Sequence, residues 1–153
     1  MIRRARIKDA PIIKAIINKF AARGDLLPVS LQDIYEHLRD FIVYLDDSII
    51  CGVCALHITW KNIAEIRSLA VIEKYQKTQI GRQLVETCLN EAIQLGIGKV
   101  FCLTYKKDFF LRLGFKIIDK SKLPHKIWSD CYKCPKFPNC KEIAMITYLE
   151  KKT

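Results

Sequence analysis

The stretch from Ile63 to Leu95 constrains the fold most, because two different hydrophobic periods follow each other there. Residues 63–72 are mostly apolar, with β-branched side chains among them, which is typical of a strand. From Thr78 onwards, apolar residues recur every three or four positions and predict a long amphipathic helix, which Gly96 ends. A strand that passes through a short turn into a long helix favours an α/β arrangement.

The other periodic segments give the element order β-α-α-β-β-β-α-β-α-β-loop-β. Asp9 and Ser30 are expected to cap the first two helices, and Asp46-Asp47 marks a hairpin turn. With 153 residues, half of them hydrophobic, the chain fits one domain with its own core. We therefore predict a single α/β domain of the α+β type over residues 1–153, with a mixed, mostly antiparallel sheet flanked by helices. The predicted strands are 2–7, 41–45, 48–60, 63–72, 100–104, 115–118 and 143–149, and the later helices are 78–95 and 107–113.

The composition limits the partners of the chain. Its net charge is +10, which favours acidic or phosphate-bearing partners, although a lysine-rich proteome would give the same excess. The basic residues are scattered, so a nucleic-acid surface is not predicted. No apolar run reaches the ~18 residues of a membrane span. Because Met1–Arg6 is basic without an apolar segment behind it, no signal peptide is expected, and a cytoplasmic location follows as the expectation.

The turn at residues 76–82 has the properties of an anion-binding site. A strand delivers the chain to a helix N-terminus there, where backbone N–H groups lack intrahelical acceptors and the helix dipole favours negative charge. The alternative is an ordinary structural connection, since any strand–loop–helix unit shares some of this character. The turn therefore predicts a phosphate-binding loop, and its residue types have to decide between the two interpretations.

These residue types resemble the GNAT family of N-acetyltransferases, whose pyrophosphate loop follows an (Arg/Gln)-x-x-Gly-x-(Gly/Ala) pattern. Gln76 and Gly81 match the first and last positions, whereas Gln79 stands where the middle Gly is usual and leaves less room for close backbone approach. The segment 109–115 is similar to the family's aromatic element that ends in Gly-Phe. The resemblance implies that acetyl-CoA is bound by Leu69, Ala70, Val71, Gln76, Lys77, Thr78, Gln79, Ile80, Gly81 and Arg82.

Three segments carry a narrower resemblance, to the N-acetylglutamate synthase branch, which acetylates the α-amine of glutamate for arginine biosynthesis. They are residues 27–31, 65–71 and 123–142. The branch commonly has an Arg after Leu-Pro that helps to hold the substrate carboxylate, but this chain has Val29 there. An acidic amino acid is therefore the implied acceptor, with a replacement cation drawn from Arg67, Lys141 or Lys126.

The resemblance implies direct attack of a neutral amine on the thioester. Glu65, on the strand before the loop, is the candidate base that removes the ammonium proton; the alternative is that it pairs with Arg67 on a solvated sheet face. A backbone N–H near Leu69 would hold the oxyanion. Many relatives have a Tyr at the position of Phe110, and a Phe cannot donate a proton to the leaving group. A thiolate whose thiol has a pKa of about 8.5 can, however, leave without a strong acid. Tyr105 is interpreted as a core or cofactor-flanking aromatic residue.

The irregular, cysteine-rich loop at residues 119–141 has spacing that is compatible with a zinc site. Cys131, Cys134 and Cys140 would supply three ligands and His125 a fourth; free thiols that pack the loop, or a disulfide, are the alternatives. Of the chain's seven cysteines, Cys51 and Cys54 are predicted to point to opposite faces of a strand, and Cys88 and Cys102 to lie in the core.

Two further functional interpretations stay open on the sequence alone. The acceptor could be another amino acid, a polyamine or a protein N-terminus, which the absence of an Arg at Val29 permits. The chain could instead be a non-catalytic module that senses CoA or binds nucleic acid. A homodimer is compatible with both, since nothing in the sequence fixes the oligomeric state.

Overall fold

The computed structural model describes residues 1–123 and 142–149, and the structural statements that follow concern those residues. The strands are β1 (Ile2–Arg4), β2 (Phe41–Asp46), β3 (Ile49–Trp60), β4 (Ile63–Val71), β5 (Lys99–Thr104), β6 (Lys116–Ile117) and β7 (Ile143–Tyr148). The α-helices are α1 (Ala10–Ala22), α2 (Leu31–Glu36), α3 (Ile80–Gln94) and α4 (Lys107–Arg112).

The seven described strands form one sheet in the order β1-β2-β3-β4-β5-β7-β6. Strands β4 and β5 run parallel, whereas the pairs β1–β2, β2–β3, β5–β7 and β6–β7 are antiparallel. The predicted α/β fold with a mixed, mostly antiparallel sheet is therefore confirmed. No helix within 1–123 or 142–149 is long and apolar enough to cross a membrane.

Two elements near functional segments begin or end away from the predicted positions. Strand β1 ends at Arg4 instead of Ile7, because residues 7–9 form a 3₁₀ turn that leads directly into α1. Helix α3 begins at Ile80 instead of Thr78, because Gln79 has a φ of +70°, which a right-handed helix does not allow.

The first compact unit consists of Met1–His57 and Ile66–Glu91. Its core forms around the apolar face of α1, where Ile13 and Ile17 are fully buried. Each such side chain contributes roughly 1.5–3 kcal/mol by leaving water. The core cluster consists of Ala10, Ile13, Ile16, Ile17, Phe20, Ile34, Phe41, Val43, Ile50, Val53, Ala55 and Ala70.

The two predicted helix caps have different outcomes. Ser30 caps α2 as predicted, since its Oγ accepts the Asp33 N–H at 3.0 Å. Asp9 is the N-cap residue of α1 as predicted, but its carboxylate makes no capping bond to that helix. Its two oxygens instead accept from the Arg3 guanidinium at 2.6 and 3.1 Å, and that ion pair holds the pKa of the Asp9 carboxyl below its usual value.

Helix α3 packs closely against β3 at Gly52. A Cβ placed on Gly52 would lie 3.0 Å from Cδ1 of Leu84 and 3.1 Å from Cγ2 of Ile80, tighter than ordinary van der Waals contact. Ile80 is the first residue of α3 and is buried. The missing side chain at Gly52 therefore sets the distance between β3 and the start of the helix.

The second compact unit consists of Ile58–Glu65 and the described residues from Ala92 on. The turn residue Asn62 ties β4 to β5, since its Oδ1 accepts the Gly98 N–H at 2.8 Å. Gly96 ends α3 as predicted, with a φ of +83°, and the following N–H of Ile97 donates to the Ala92 carbonyl at 2.9 Å. The core cluster consists of Ile63, Phe101, Leu123, Ala144 and Ile146.

Strand β6 is shorter than predicted. The N–H of Phe115 donates to the carbonyl of Phe110 at 3.1 Å and so completes the end of α4 instead of joining the sheet. Pairing with β7 is described for Lys116 and Ile117.

Candidate cofactor-binding and active site

The loop between β4 and α3 has an unusual backbone. Lys77 and Gln79 both have left-handed φ angles, of +66° and +70°. Left-handed residues turn successive peptide N–H groups towards one side, which creates an anion-binding concavity. This concavity lies at the N-terminus of the 15-residue helix α3, where first-turn amides lack intrahelical acceptors. The local geometry therefore suits phosphate groups.

The backbone angle at Gln79 gives a reason why the family pattern has a Gly at this position. A left-handed residue is unstrained when it is Gly, whereas a side chain there costs roughly 1–2 kcal/mol. The middle position of the pattern thus requires this conformation, and Gln79 adopts it in spite of its Cβ. Backbone strain at Gln79 is thus a second consideration beside the space for the cofactor, and the assignment of this position to the family pattern stays a prediction.

Hydrogen bonds fasten this loop to the ends of strands β4 and β2. The Gln76 amide Nε2 donates to the Val71 carbonyl at 2.9 Å and links the loop to the end of β4. The Tyr75 hydroxyl donates to the Asp46 carboxylate at 2.8 Å, and this bond raises the pKa of Tyr75. The sequence analysis placed Asp46 in a hairpin turn but did not predict its contact with Tyr75, 29 residues away. Together these contacts hold the loop in place before any ligand binds.

Exposed cations flank the same loop. Lys77 is exposed, and Arg82 in the first turn of α3 pairs with Glu86 through Nε at 2.8 Å. The pair is about half exposed, so it contributes little stability and leaves the guanidinium available to further anions. The predicted residues from Gln76 to Arg82 are therefore brought together around one helix N-terminus.

Replacing Gln79 by Gly is expected to raise the free energy of unfolding by about 1 kcal/mol, because the left-handed strain disappears. For a chain of this size that corresponds to a rise in Tm of about 2–4 °C. CoA should also bind more tightly, since its phosphates can approach the bare backbone more closely. Thermal unfolding with and without CoA measures both effects.

Thr78→Gly is the matched control for this prediction. Thr78 lies between the two left-handed residues but is not left-handed itself, and its hydroxyl donates to the Tyr75 carbonyl. Glycine there relieves no strain and removes a bond, so Tm should fall. A lower Tm for the Gln79→Gly variant would show that the left-handed conformation is not costly.

Strand β4 contains a third left-handed residue, Ser68, with a φ of +55°. Inside a strand, such a residue breaks the regular alternation of backbone N–H groups and redirects the next one. The next N–H belongs to Leu69, which was predicted to stabilise the oxyanion. The irregular backbone at Ser68 is compatible with an oxyanion donor near Leu69, which stays a prediction.

Glu65 is buried, with only 8% of its surface exposed. It pairs in parallel register with Phe101 of β5, a core residue. The alternative that Glu65 lies on a solvated sheet face is therefore wrong, because β5 places it beside the core. A buried carboxylate at this position is a candidate for proton transfer.

The neighbouring thiol of Cys102 is kept neutral. Burial raises its pKa most, and the negative charges of Glu65 and Glu142 raise it further. A thiol needs its thiolate form to act as a nucleophile. Cys102 is therefore a core residue as predicted, and this environment does not favour acetyl transfer through a cysteine.

The aromatic residues near α4 have structural contacts. Phe110 is buried, and its ring meets Phe115 edge to face at 5.1 Å between centroids. This position supplies packing and no proton donor, in agreement with the sequence. Tyr105 is 41% exposed, so its interpretation as a core residue is wrong, and the cofactor-flanking role stays a prediction.

Val29 packs inward and not into open solvent. Its side chain lies against the core cluster around α1. Its backbone N–H donates to Oδ1 of Asn18 at 3.0 Å, and its carbonyl accepts from Nδ2 of the same side chain at 3.2 Å. The chain between α1 and α2 is therefore held by Asn18, a residue that the sequence analysis missed because no local pattern marks it.

The predicted zinc ligands and two substrate cations lie outside the described residues. They are His125, Cys131, Cys134, Cys140, Lys126 and Lys141. Among the described residues, no group of three or more His, Cys, Asp or Glu side chains is arranged to hold a metal ion. The zinc site at the cysteine-rich loop accordingly stays a prediction.

The described cysteines confirm the predicted strand geometry. Cys51 and Cys54 contact different partners: the Cys51 thiol donates to the Tyr44 carbonyl, and the Cys54 sulfur lies 3.8 Å from that of Cys88. None of these thiols forms a disulfide, nor does that of Cys102, and all four are buried. The two cysteines on β3 therefore do not form a shared site.

Residues 14–115 match the family model described as the Acetyltransferase (GNAT) family. The chain belongs to the GNAT acetyltransferase family. It is thus an acetyl-CoA-dependent N-acetyltransferase.

Similar proteins narrow the branch within the GNAT family. A protein of Chlorobaculum tepidum named as an N-acetyltransferase is 43% identical over 148 residues, covering 97% of this chain and 96% of its own. An amino-acid acetyltransferase of Mycobacterium tuberculosis is 32% identical and covers 85% of this chain and 76% of its own. The N-acetylglutamate synthase of Neisseria gonorrhoeae, solved with coenzyme A and N-acetyl-glutamate, superposes with a TM-score of 0.91 at 25% identity over 99% of this chain, which matches 35% of that one.

Proposed function

We propose that this GNAT enzyme acetylates the α-amine of an acidic amino acid, with glutamate as the first candidate, at the entry to arginine biosynthesis in the cytoplasm. The observation that carries the proposal is the buried carboxylate of Glu65 on β4, the strand that leads into the phosphate-binding turn. Relatives named amino-acid acetyltransferase, and the similarity to an N-acetylglutamate synthase solved with its product, support the acceptor class.

The proposed reaction removes two protons from the acceptor nitrogen and transfers one acyl group to it. Glu65 removes a proton from the acceptor's ammonium group, and the neutral nitrogen then attacks the thioester carbonyl. The carbonyl oxygen becomes an oxyanion, which the Leu69 N–H stabilises. The new C–N bond forms and the C–S bond breaks. CoA leaves as a thiolate, because Phe110 has no proton to give, and the acceptor nitrogen releases its second proton to water.

The remaining proposed roles concern binding. Arg67 lies two residues after Glu65 on β4, so their side chains share a sheet face, and Arg67 would pair with a substrate carboxylate together with Lys141. The acetyl-CoA contacts are assigned to Leu69, Ala70, Val71, Gln76, Lys77, Thr78, Gln79, Ile80, Gly81 and Arg82.

The domain organisation and the partners are part of the same proposal. Residues 1–153 would act as one N-acetyltransferase domain, with the loop at about 119–141 contributing to the acceptor side. A small amine and acetyl-CoA are the proposed partners, without membrane or nucleic acid, and a homodimer is compatible with this scheme.

A substrate panel tests the acceptor. Acetyl-CoA consumption is measured with L-glutamate, L-aspartate, L-glutamine, L-lysine, spermidine and a short peptide, and each product is identified by its mass. We expect kcat/KM to be at least about tenfold higher for glutamate than for the others, since a matched charge pair contributes on that scale. Turnover of another amine with glutamate inert would contradict the proposal.

A second candidate acceptor class is favoured by one observation. Val29 packs into the core at the position where the branch commonly has an Arg, so the chain lacks that particular cation. An amine without a second carboxylate, such as a neutral amino acid or a polyamine, would not need it. The same panel separates this candidate from glutamate.

A further inference from the structure

The 3₁₀ turn Lys120–Lys122 lies on the sheet face that carries Glu65. Leu123, which ends this turn, is buried in one core cluster with Ile63 and Phe101. These two residues flank Glu65, since Ile63 lies two positions earlier on β4 and Phe101 is the register partner of Glu65 on β5. All of them belong to the second compact unit. Contacts within that unit therefore place the turn on the same side of the sheet as the proposed base and next to its apolar neighbours.

The strand register gives the scale of this face. Phe101 pairs directly with Glu65 on one side and with Ile146 of β7 on the other. Because paired residues share a sheet face and neighbouring strands lie about 5 Å apart, the backbone of Ile146 is about 10 Å from that of Glu65. Ile118, just after β6, packs against the same core cluster. The segment 118–123 thus covers the strip of sheet beside Glu65.

Lys120 is directed towards this strip. In a 3₁₀ helix, residues three apart lie on the same side, and the N–H of Leu123 donates to the Lys120 carbonyl at 3.1 Å. The Lys120 side chain therefore leaves the turn on the side that Leu123 buries. Within residues 1–123 and 142–149, Lys120 is the one lysine that is partly buried, whereas the others are exposed. A lysine in such a place packs its aliphatic stem along apolar neighbours and keeps its ammonium at their rim.

The surroundings of Glu65 are acidic. Burial raises the pKa of the Cys102 thiol most, and the carboxylates of Glu65 and Glu142 raise it further, so two negative charges act on this part of β5. An acidic amino acid would bring two more carboxylates to the same region, and like charges repel each other more strongly where water is partly excluded. A cation on this face would offset that repulsion.

We propose that Lys120 is a specificity-determining residue whose ammonium pairs with the side-chain carboxylate of the acceptor amino acid. The inference rests on the proposed function, which makes Glu65 the base and an acidic amino acid the acceptor. The two residues then act on opposite ends of one molecule: Glu65 takes a proton from the α-ammonium group, and Lys120 binds the far carboxylate. An amide in place of that carboxylate forms no charge pair. Lys120 therefore favours an acidic acceptor over its neutral amide.

The test compares each acidic acceptor with its amide, L-glutamate with L-glutamine and L-aspartate with L-asparagine, in wild type, Lys120→Gln and Lys120→Arg. We expect Lys120→Gln to raise the KM for the acidic acceptor about 10- to 100-fold, the range of a charge-assisted hydrogen bond. The kcat/KM for the amide and the KM for acetyl-CoA should stay within about twofold, because neither involves the lost charge pair. Lys120→Arg should keep most of the preference, since it keeps the positive charge.

Lys122→Gln is the matched control, because Lys122 belongs to the same turn but is exposed. It removes the same charge and should leave the acid-to-amide ratio of kcat/KM within about twofold of wild type. The inference is overturned if Lys120→Gln leaves this ratio unchanged, or if both lysine variants lower it equally. In those cases a wild type that prefers the acidic acceptor still supports the proposed function. A wild type that does not prefer glutamate or aspartate to its amide overturns both.

Discussion

Glu65→Gln is expected to lower kcat for acetyl transfer about 100- to 10,000-fold, the range that a positioned general base contributes. Gln has nearly the same shape as Glu and fits the buried position beside Phe101, so the fold should persist. The acetyl-CoA KM should stay within about twofold, because the proposed role concerns the proton of the acceptor. Steady-state kinetics with both substrates measures this effect.

The pH dependence separates loss of a base from loss of structure. Without Glu65, only acceptor molecules that are already neutral can react, so kcat/KM of the variant should rise about tenfold per pH unit up to the pKa of the amine. The wild-type profile should be flatter over the same range, since the enzyme removes the proton itself. A variant profile parallel to that of the wild type would assign Glu65 a different role.

Glu91→Gln provides the matched control for Glu65. Glu91 lies near the end of α3, and its carboxylate pairs with Arg4 at 2.5 Å. Its substitution removes one negative charge in the same way but touches no proposed catalytic group. We expect kcat within about twofold of wild type and a small change in Tm, as for other exposed pairs. Activity of Glu65→Gln close to that of this control would exclude Glu65 as the base.

Gly52→Val is expected to produce the largest loss of stability among the variants considered. The added side chain would begin about 3 Å from Leu84 and Ile80, so the start of α3 must move away from β3. Overpacking of this kind costs typically 1–3 kcal/mol, which corresponds to a fall in Tm of about 2–12 °C for a chain of this size. Thermal or urea unfolding measures it.

The same substitution should weaken CoA binding. Ile80 follows Gln79 directly, so displacing it displaces the loop whose amides are proposed to hold the phosphates. We expect the Kd of CoA to rise about tenfold, with Gly52→Ala giving a smaller change. Ile49→Val, at the exposed start of the same strand, is the control and should stay within about 0.5 kcal/mol of wild type. Unchanged stability and CoA affinity in Gly52→Val would show that α3 can shift freely.

The elements could be predicted well from the sequence where a single local period dominates. Alternation and apolar runs identified the strands, and the three-to-four-residue period identified α1 and α3, because these patterns reflect which side of one element is buried. Ser30 and Gly96 were also identified correctly, since a cap depends on its immediate neighbours. Asp9 was identified correctly as the N-cap position of α1, but the sequence did not predict that Arg3, six residues earlier, would bind its carboxylate.

The candidate site was predicted only in part, because some of its contacts join residues that are far apart in the sequence. The loop from Gln76 to Arg82 carries a local motif, so its position was clear. The left-handed backbone at Gln79 could not be predicted, because the residue type argues against it and only the surrounding contacts impose it. The roles of Tyr75 and Asn18 depend on partners 29 and 11 residues away, for which the sequence has no pattern.

The strand–turn–helix from Ile63 to Leu95 shows which features the sequence determines and which depend on the tertiary structure. The sequence by itself determined the order of its elements, the position of the turn before α3 and the family resemblance, because all three depend on neighbouring residues. Only the tertiary structure decided that Glu65 is buried against β5, that Gly52 sets the position of α3 and that Asn18 holds Val29. Burial, close approach and hydrogen bonding between distant residues arise when separate elements pack together, and no local sequence pattern specifies them.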